Sequence, residues 1–158
     1  DGVYSAGDGR LKSAGAAGLP QIVIPGALDH ANFWVGEVPE RYATREFFKY
    51  NAQNILMRTN ADEFRTLGKL VADRVSAARG PVVVMIPTRG YSEHTKRMTQ
   101  DLDGSEIGPW NQPEVDSAFV GSLRTHLDDA KLVEFDAHIN DVEFADACVD
   151  KFLVMIAG

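Results

Sequence analysis

Residues 80–90 read Gly-Pro-Val-Val-Val-Met-Ile-Pro-Thr-Arg-Gly. Within this stretch, residues 82–86 form an unbroken apolar run that stands between two prolines. A continuous apolar run of strand length predicts a strand that is covered on both faces, as in a parallel sheet. Because parallel strands are joined by long crossover connections, we expect amphipathic helices on both sides of this run in the sequence.

Such helices and further strands flank the run. The upstream helix is indicated by apolar residues at helical spacing: Phe64, Leu67, Leu70, Val71 and Val75. Thr59 is predicted to cap this helix, and Gly80-Pro81 ends it. The other predicted elements are strands at 21–25, 55–57 and 132–136, and helices at 9–18, 113–127 and 142–156.

The alternation of buried strands and amphipathic helices predicts an α/β fold. We expect three layers, with a mainly parallel sheet and helices on both faces, in a Rossmann-like lobe that forms one domain over residues 1–158. Residues 26–52 and 87–112 are predicted as long loops, and both leave the C-terminal ends of strands. Long loops in compact domains carry function, and α/β proteins bind ligands at this edge of the sheet.

Composition excludes several classes of partner. The chain has 16 Lys and Arg against 23 Asp and Glu, a formal net charge of -7, so we expect no broad nucleic-acid or anionic membrane surface. No apolar run is long enough to span a bilayer, and no signal peptide opens the chain. Cys148 is the single cysteine, which favours a reducing, cytoplasmic location.

The first long loop supplies two candidate ligand-binding residues, Asp29 and Asn32, beside His30. An Asx turn, in which Asp29 accepts backbone hydrogen bonds, is an equally good interpretation. In the second loop, Gly90 and Ser92 follow a strand and are candidates for holding an anionic group on backbone N–H. A solvated loop is the alternative there, because no phosphate-loop spacing is present.

Residues 138–141, His-Ile-Asn-Asp, connect the last strand to the last helix. Asp141 is placed to cap that helix, whereas His138 and Asn140 are candidates for contacting a ligand. Arg58, at a strand end, is a candidate clamp for a carboxylate or phosphate, and Thr59 beside it is a further candidate for contacting the ligand.

The turn at Ser5 and Gly7 offers further N–H groups to an anion. No metal site is indicated, because the chain has no HExxH, no zinc spacing and no calcium loop. A Gly-x-Ser-x-Gly elbow is also absent, which disfavours a serine hydrolase.

Taken together, these segments resemble the Tm-1-like, or UPF0261, family. The matching segments in this chain are Ser5-Ala6-Gly7, Arg10-Leu11, Gly26-Ala27-Leu28-Asp29, Asn32-Phe33, Met57-Arg58-Thr59, Pro87, Gly90, Ser92, His138-Ile139-Asn140-Asp141 and Phe144-Ala145-Asp146. The family has two α/β lobes, and this chain resembles the C-terminal one, so its N-terminal lobe would be missing. The resemblance implies an intracellular protein, a homo-oligomer and possible binding of ATP.

Three functions are consistent with these observations. The leading hypothesis is a ligand-binding lobe for ATP or a phosphorylated or carboxylated metabolite, with the ligand in the cleft between two lobes. The second is an enzyme of sugar-acid metabolism that uses His138 or Asp29 as general acid or base. The third is a protein-interaction module that uses the aromatic residues within 33–50.

The chain starts with Asp1-Gly2 and no Met, as though it were cut inside a domain. We therefore expect the isolated chain to expose an apolar surface that the N-terminal lobe would cover.

Overall fold

The computed structural model describes residues 2–157. Its helices are α1 (Ser13–Ala16), α2 (Ala61–Ser76), α3 (Pro113–His126) and α4 (Val142–Ala157). Its strands are β1 (Gln21–Val23), β2 (His30–Trp34), β3 (Phe47–Lys49), β4 (Asn54–Arg58), β5 (Val82–Pro87), β6 (Met98–Gln100), β7 (Glu106–Pro109) and β8 (Leu132–Phe135). None of the described helices has the length and apolarity needed to cross a bilayer.

A three-stranded parallel sheet in the order β1-β5-β8 lies at the centre, with β5 in the middle. Val82, Val84 and Ile86 of β5 pack on one face with side chains of α2 and α3, and Val83 and Met85 pack on the other with α4. The alternation explains why the run at 82–86 is apolar throughout, since both of its faces are covered. The α/β fold with helices on both faces of the sheet is confirmed.

Five further strands form an antiparallel sheet in the order β2-β4-β3-β6-β7. The prediction of long loops at 26–52 and 87–112 is wrong, because the first segment contains β2 and β3 and the second contains β6 and β7. These strands have three to five residues and are only partly buried. Short strands with mixed burial carry little periodic signal.

Two helix starts also differ from the sequence prediction. α1 covers four residues within the predicted helix at 9–18. Asn60, rather than Thr59, caps α2: its side chain accepts the Glu63 N–H, and the Glu63 carboxylate accepts the Asn60 N–H. The Thr59 hydroxyl instead donates to the carbonyl of Leu28, at 2.7 Å.

Candidate functional site

The loops that follow β1, β5 and β8 meet at the carboxyl edge of the parallel sheet. The N–H of Ala27 donates to the carbonyl of Tyr91 at 2.8 Å, and Nε2 of His138 lies 2.9 Å from the carbonyl oxygen of Ser92. The Ser92 hydroxyl in turn donates to Asp29 at 2.6 Å. These three polar loops therefore converge at one edge of the parallel sheet.

The carboxylate of Asp29 is the centre of this convergence. It is 2% exposed and accepts hydrogen bonds from Nδ1 of His30 (3.0 Å), Oγ of Ser92 (2.6 Å) and Nε1 of Trp110 (2.9 Å). Burial raises the pKa of Asp29, but these three hydrogen bonds outweigh it and the net pKa is lowered. Asp29 is thus an ionised interior group that orients its neighbours.

His30 is the neighbour of most chemical interest. Because an ionised carboxylate only accepts hydrogen bonds, Nδ1 of His30 carries the proton toward Asp29 and Nε2 keeps its lone pair in the neutral ring. A carboxylate that fixes the tautomer of a histidine in this way prepares the second nitrogen for hydrogen bonding or proton transfer. His30 also borders two cavities, of about 370 Å³ and about 500 Å³.

The two cavities, which we call the His94 cavity and the Leu67 cavity, differ in character. The His94 cavity is lined by Gly26, Ala27, His30, Tyr91, Ser92, Glu93, His94, Ile139 and Asn140. The Leu67 cavity is lined by Ala27, Leu28, His30, Ala31, Met57, Thr59, Asn60, Asp62, Glu63, Thr66 and Leu67. Neither lining includes a lysine or an arginine, so local cationic charge for an anionic ligand is small on both sides of His30.

His94 lies inside a cluster of aromatic rings. Its imidazole centroid is 5.3 to 5.7 Å from the ring centroids of His30, Phe48, Tyr50 and Trp110. Nδ1 of His94 is buried and has no hydrogen-bond partner in the described part of the chain. Burial, and then the proximity of His30, lower the pKa of His94, so its ring is neutral at pH 7.

Arg58 is engaged entirely by the chain itself. Its guanidinium donates to the carbonyls of Trp110 (3.0 Å) and Asp29 (3.2 Å) and forms a buried ion pair with Asp116. Burial, together with the charge of Asp29, raises the pKa of Asp116 although Arg58 acts in the opposite direction. Arg58 and Thr59 thereby hold the antiparallel sheet to the loop that contains Asp29, and their predicted role as ligand contacts stays a prediction.

His138, Asn140 and Gly90 form one packed unit. Nδ1 of His138 accepts the N–H of Asn140 at 3.2 Å, so Nε2 carries the proton and donates to Ser92. Gly90 has φ +138°, and a Cβ there would lie 2.9 Å from Cδ2 of His138. Asp141 accepts the backbone N–H of His138 at 2.8 Å. Both ring nitrogens of His138 therefore have partners within the chain.

Of the predicted contacts, Ser92 and Asn140 line the His94 cavity and Thr59 lines the Leu67 cavity, whereas the others lie outside both linings. Ser5 is exposed, and its hydroxyl accepts the N–H of Gly7 at 3.3 Å. Asn32 lies in β2, where its carbonyl accepts the N–H of Val3 at 2.8 Å. The structure thus groups Asp29, Ser92, Asn140 and His138 and leaves Ser5, Gly7 and Asn32 apart from them.

Sequence reasoning did not single out Trp110 or His94, and it named His30 only in passing. The sequence offered one signal for Trp110, namely a single tryptophan within a polar segment. A buried indole N–H usually has a hydrogen-bond partner, so such a residue can be expected to contact a polar group. The aromatic residues within 33–50 divide between core and surface: Phe33 and Phe47 are buried, whereas Trp34 and Tyr50 are exposed.

No group of three or more His, Cys, Asp or Glu side chains within residues 2–157 is arranged to hold a metal ion.

Comparison with known proteins gives one family. Residues 1–156 match the family model described as the C-terminal domain of an uncharacterised protein family, UPF0261. The chain is 35% identical to a UPF0261 protein of Clostridium tetani, over 98% of this chain and 37% of that protein. It is 37% identical to a UPF0261 protein of Mesorhizobium japonicum, over 92% of this chain and 36% of that protein.

A plant protein is also similar. The ToMV susceptible protein tm-1(GCR26) of Solanum lycopersicum is 29% identical over 98% of this chain and 20% of its own length. The chain thus spans about a third of the length of the bacterial relatives and a fifth of the plant protein.

Proposed function

Since the chain belongs to the UPF0261 family and corresponds to its C-terminal domain, we propose that it is a ligand-binding lobe whose site is the pair of cavities around His30. One observation carries the proposal: Asp29 holds Nδ1 of His30 at 3.0 Å, at a point that borders both cavities. A histidine fixed by a buried carboxylate at a cavity wall is preorganised to contact a ligand.

The residues around His30 do not fit a triphosphate. ATP, which the resemblance implies, needs cations or a glycine-rich loop for its phosphates. Glu93, Asp62 and Glu63 are the charged residues in the two linings. Arg89, near the carboxyl edge, donates two hydrogen bonds of 2.7 and 2.8 Å to Asp136, and this exposed ion pair occupies its guanidinium.

A small carboxylated or hydroxylated metabolite needs fewer cationic contacts than a triphosphate does. Hydroxyl groups of such a ligand can donate to Nε2 of His30 and to Oγ of Ser92, and the side-chain amide of Asn140 can donate to a carboxylate oxygen. The apolar side of the Leu67 cavity, with Leu28, provides contact for a carbon skeleton. We therefore place a metabolite of the sugar-acid type ahead of a phosphorylated one. The other lobe of the full-length protein would supply the remaining contacts.

A binding assay on the full-length protein tests this proposal. A thermal-shift screen with sugar acids, amino acids and nucleotides identifies a ligand, and titration calorimetry then compares wild type with His30→Gln. We expect His30→Gln to weaken binding about tenfold, which corresponds to roughly 1.4 kcal/mol and is the upper range for one hydrogen bond between neutral groups. His126→Gln is the matched control, because His126 lies at the end of α3 and contacts the Ser122 carbonyl. Equal affinity of both variants and wild type would refute the site.

An enzyme is the second candidate function, and the same 3.0 Å contact favours it. In this version His30, rather than His138, transfers the proton, with Asp29 stabilising the imidazolium. We expect His30→Gln to lower kcat at least about 100-fold while the protein stays folded. Full turnover in His30→Gln together with its loss in His138→Gln would reassign the role to His138.

A further inference from the structure

α4 changes character along its length. Its first half is amphipathic: Phe144 and Cys148 are buried, and the charged residues of the helix all lie at or before Lys151. Its last six residues, 152–157, read Phe-Leu-Val-Met-Ile-Ala and contain no polar side chain. In this segment Leu153 is 52% exposed, Val154 is 71% exposed and Ile156 is 53% exposed. A helix segment that is apolar on all sides is typical of a buried position.

The neighbouring strand β1 is open on one side. β1 pairs with β5, and no described strand pairs with its other edge. α4 packs beside β1, and Leu19 and Ile24, just before and after the strand, are 55% and 42% exposed. An edge strand presents a row of unpaired backbone N–H and C=O groups, and the exposed apolar residues at both ends of β1 mark this edge as one that another segment can cover.

We propose that the outer edge of β1 and residues 152–157 of α4, together the α4–β1 surface, bind another part of the same polypeptide. That part adds a parallel strand beside β1 and packs a helix against the end of α4. A parallel strand is connected to its sheet by a crossover helix, which packs on a face of the sheet. The apolar end of α4 lies on such a face, where it can contact that helix. The proposal does not depend on the function proposed for the site.

The lengths of the relatives identify the occupant. This chain covers 37% of the Clostridium tetani protein and 36% of the Mesorhizobium japonicum protein, so these proteins contain ample additional chain to supply a strand and a helix. A second copy of this chain fits less well. A two-fold axis perpendicular to the sheet would pair two copies of β1 antiparallel, whereas both pairings within the central sheet, β1 with β5 and β5 with β8, are parallel.

The α4–β1 surface is also separate from the cavities. α4 begins after β8 at the carboxyl edge of the sheet and runs back along its face, so residues 152–157 lie toward the opposite edge. Docking there leaves the cavities around His30 accessible.

Thiol labelling of the full-length polypeptide tests the proposal. In a Cys148→Ala background, Val154→Cys and, as a control, Ile107→Cys are each treated with a maleimide. The two positions are exposed here to 71% and 53%, and Ile107 lies on β7, in the other sheet. We expect the thiol at position 154 to react at least about tenfold more slowly than the thiol at 107, and the ratio to be the same at nanomolar and micromolar protein.

Two outcomes would overturn the assignment. Equal labelling rates would show that the end of α4 is exposed in the whole protein. Protection that disappears on dilution would identify a second copy as the occupant. Hydrogen exchange of the same protein tests the added strand, because the amides of residues 22–24 should be protected as well as those of β5. Rapid exchange at β1 together with a protected thiol at 154 would contradict strand addition.

Discussion

The indole Nε1 of Trp110 donates a 2.9 Å hydrogen bond to Oδ2 of Asp29, which lies 81 positions earlier in the chain. This contact joins the loop after β1 to the segment between β7 and α3. The Trp110 carbonyl accepts a hydrogen bond from Arg58, so one residue connects the candidate site to the buried ion pair with Asp116. The site therefore depends on Trp110 without Trp110 facing a ligand.

Trp110→Phe should destabilise the protein. The variant keeps an aromatic ring but removes one donor to an ionised, buried carboxylate, which costs roughly 1.5–3 kcal/mol of unfolding free energy. The pKa of Asp29 is lowered in the fold, so its contribution to stability is present above the ordinary pKa and is lost as the pH falls through the folded value. Without the donor this pKa should rise. Urea denaturation at pH 7 and at about pH 3 measures both effects, and Trp34→Phe, at an exposed indole, is the control.

His138→Ala should act on stability more than on binding. Both ring nitrogens have partners in the chain, and the loss of two hydrogen bonds costs about 1–3 kcal/mol. Ligand affinity of the folded fraction should change much less than in His30→Gln. Denaturation and calorimetry on the full-length protein separate the two. Normal stability with lost binding would restore the ligand-contacting role expected from the sequence.

Gly90→Ala should be more costly than Gly104→Ala. Both glycines have positive φ, so each alanine pays about 1–3 kcal/mol in backbone strain. At Gly90 the new Cβ would also lie 2.4 Å from Oγ1 of Thr95, whereas at Gly104 nothing lies within 4 Å. Overpacking adds about 1–3 kcal/mol at Gly90 alone. Equal losses in chemical denaturation would contradict the packing described for the His138 loop.

His94 should make the fold sensitive to mild acid. Its pKa is lowered by burial and by His30, while Asp29 and Glu93 act in the opposite direction. The unfolded chain therefore binds the proton first as the pH falls, and stability decreases from about pH 6.5 down to the folded pKa. Above that window His94 contributes no pH dependence. His94→Phe should remove this part of the slope when unfolding free energy is measured from pH 8 to pH 5. If the pH dependence of the unfolding free energy is unchanged in the variant, His94 is exposed to water in the folded protein.

The parts of the fold with strong local patterns were predictable. The apolar run of β5 and the helical spacing of α2 identify their elements because burial of a whole face repeats at a fixed period. β6 and β7 were missed because they are short, and they are stabilised by pairing with each other and with β3.

The site was predictable only where it follows strand ends. Asp29 and Ser92 were found because both follow strands of the parallel sheet. The structural role of Arg58 was not predicted, because its partner Asp116 lies 58 positions away in the sequence. Asp116 is in the first turn of a helix, where acidic residues are common. Contacts between residues so far apart produce no recognisable spacing or periodicity in the sequence.

The antiparallel sheet has a consequence for how the protein assembles. Its strands come from two separate excursions of the chain, β2 to β4 between β1 and β5, and β6 and β7 between β5 and β8. Phe47 and Gln100 are the one aligned pair between these excursions. Because closing such distant segments is entropically slow, this sheet should form late in folding and open early in native-state fluctuations. Phe48 lies in this sheet and Trp110 follows its last strand, and both rings contact His94. The surroundings of His94 therefore become ordered only when the two excursions have paired.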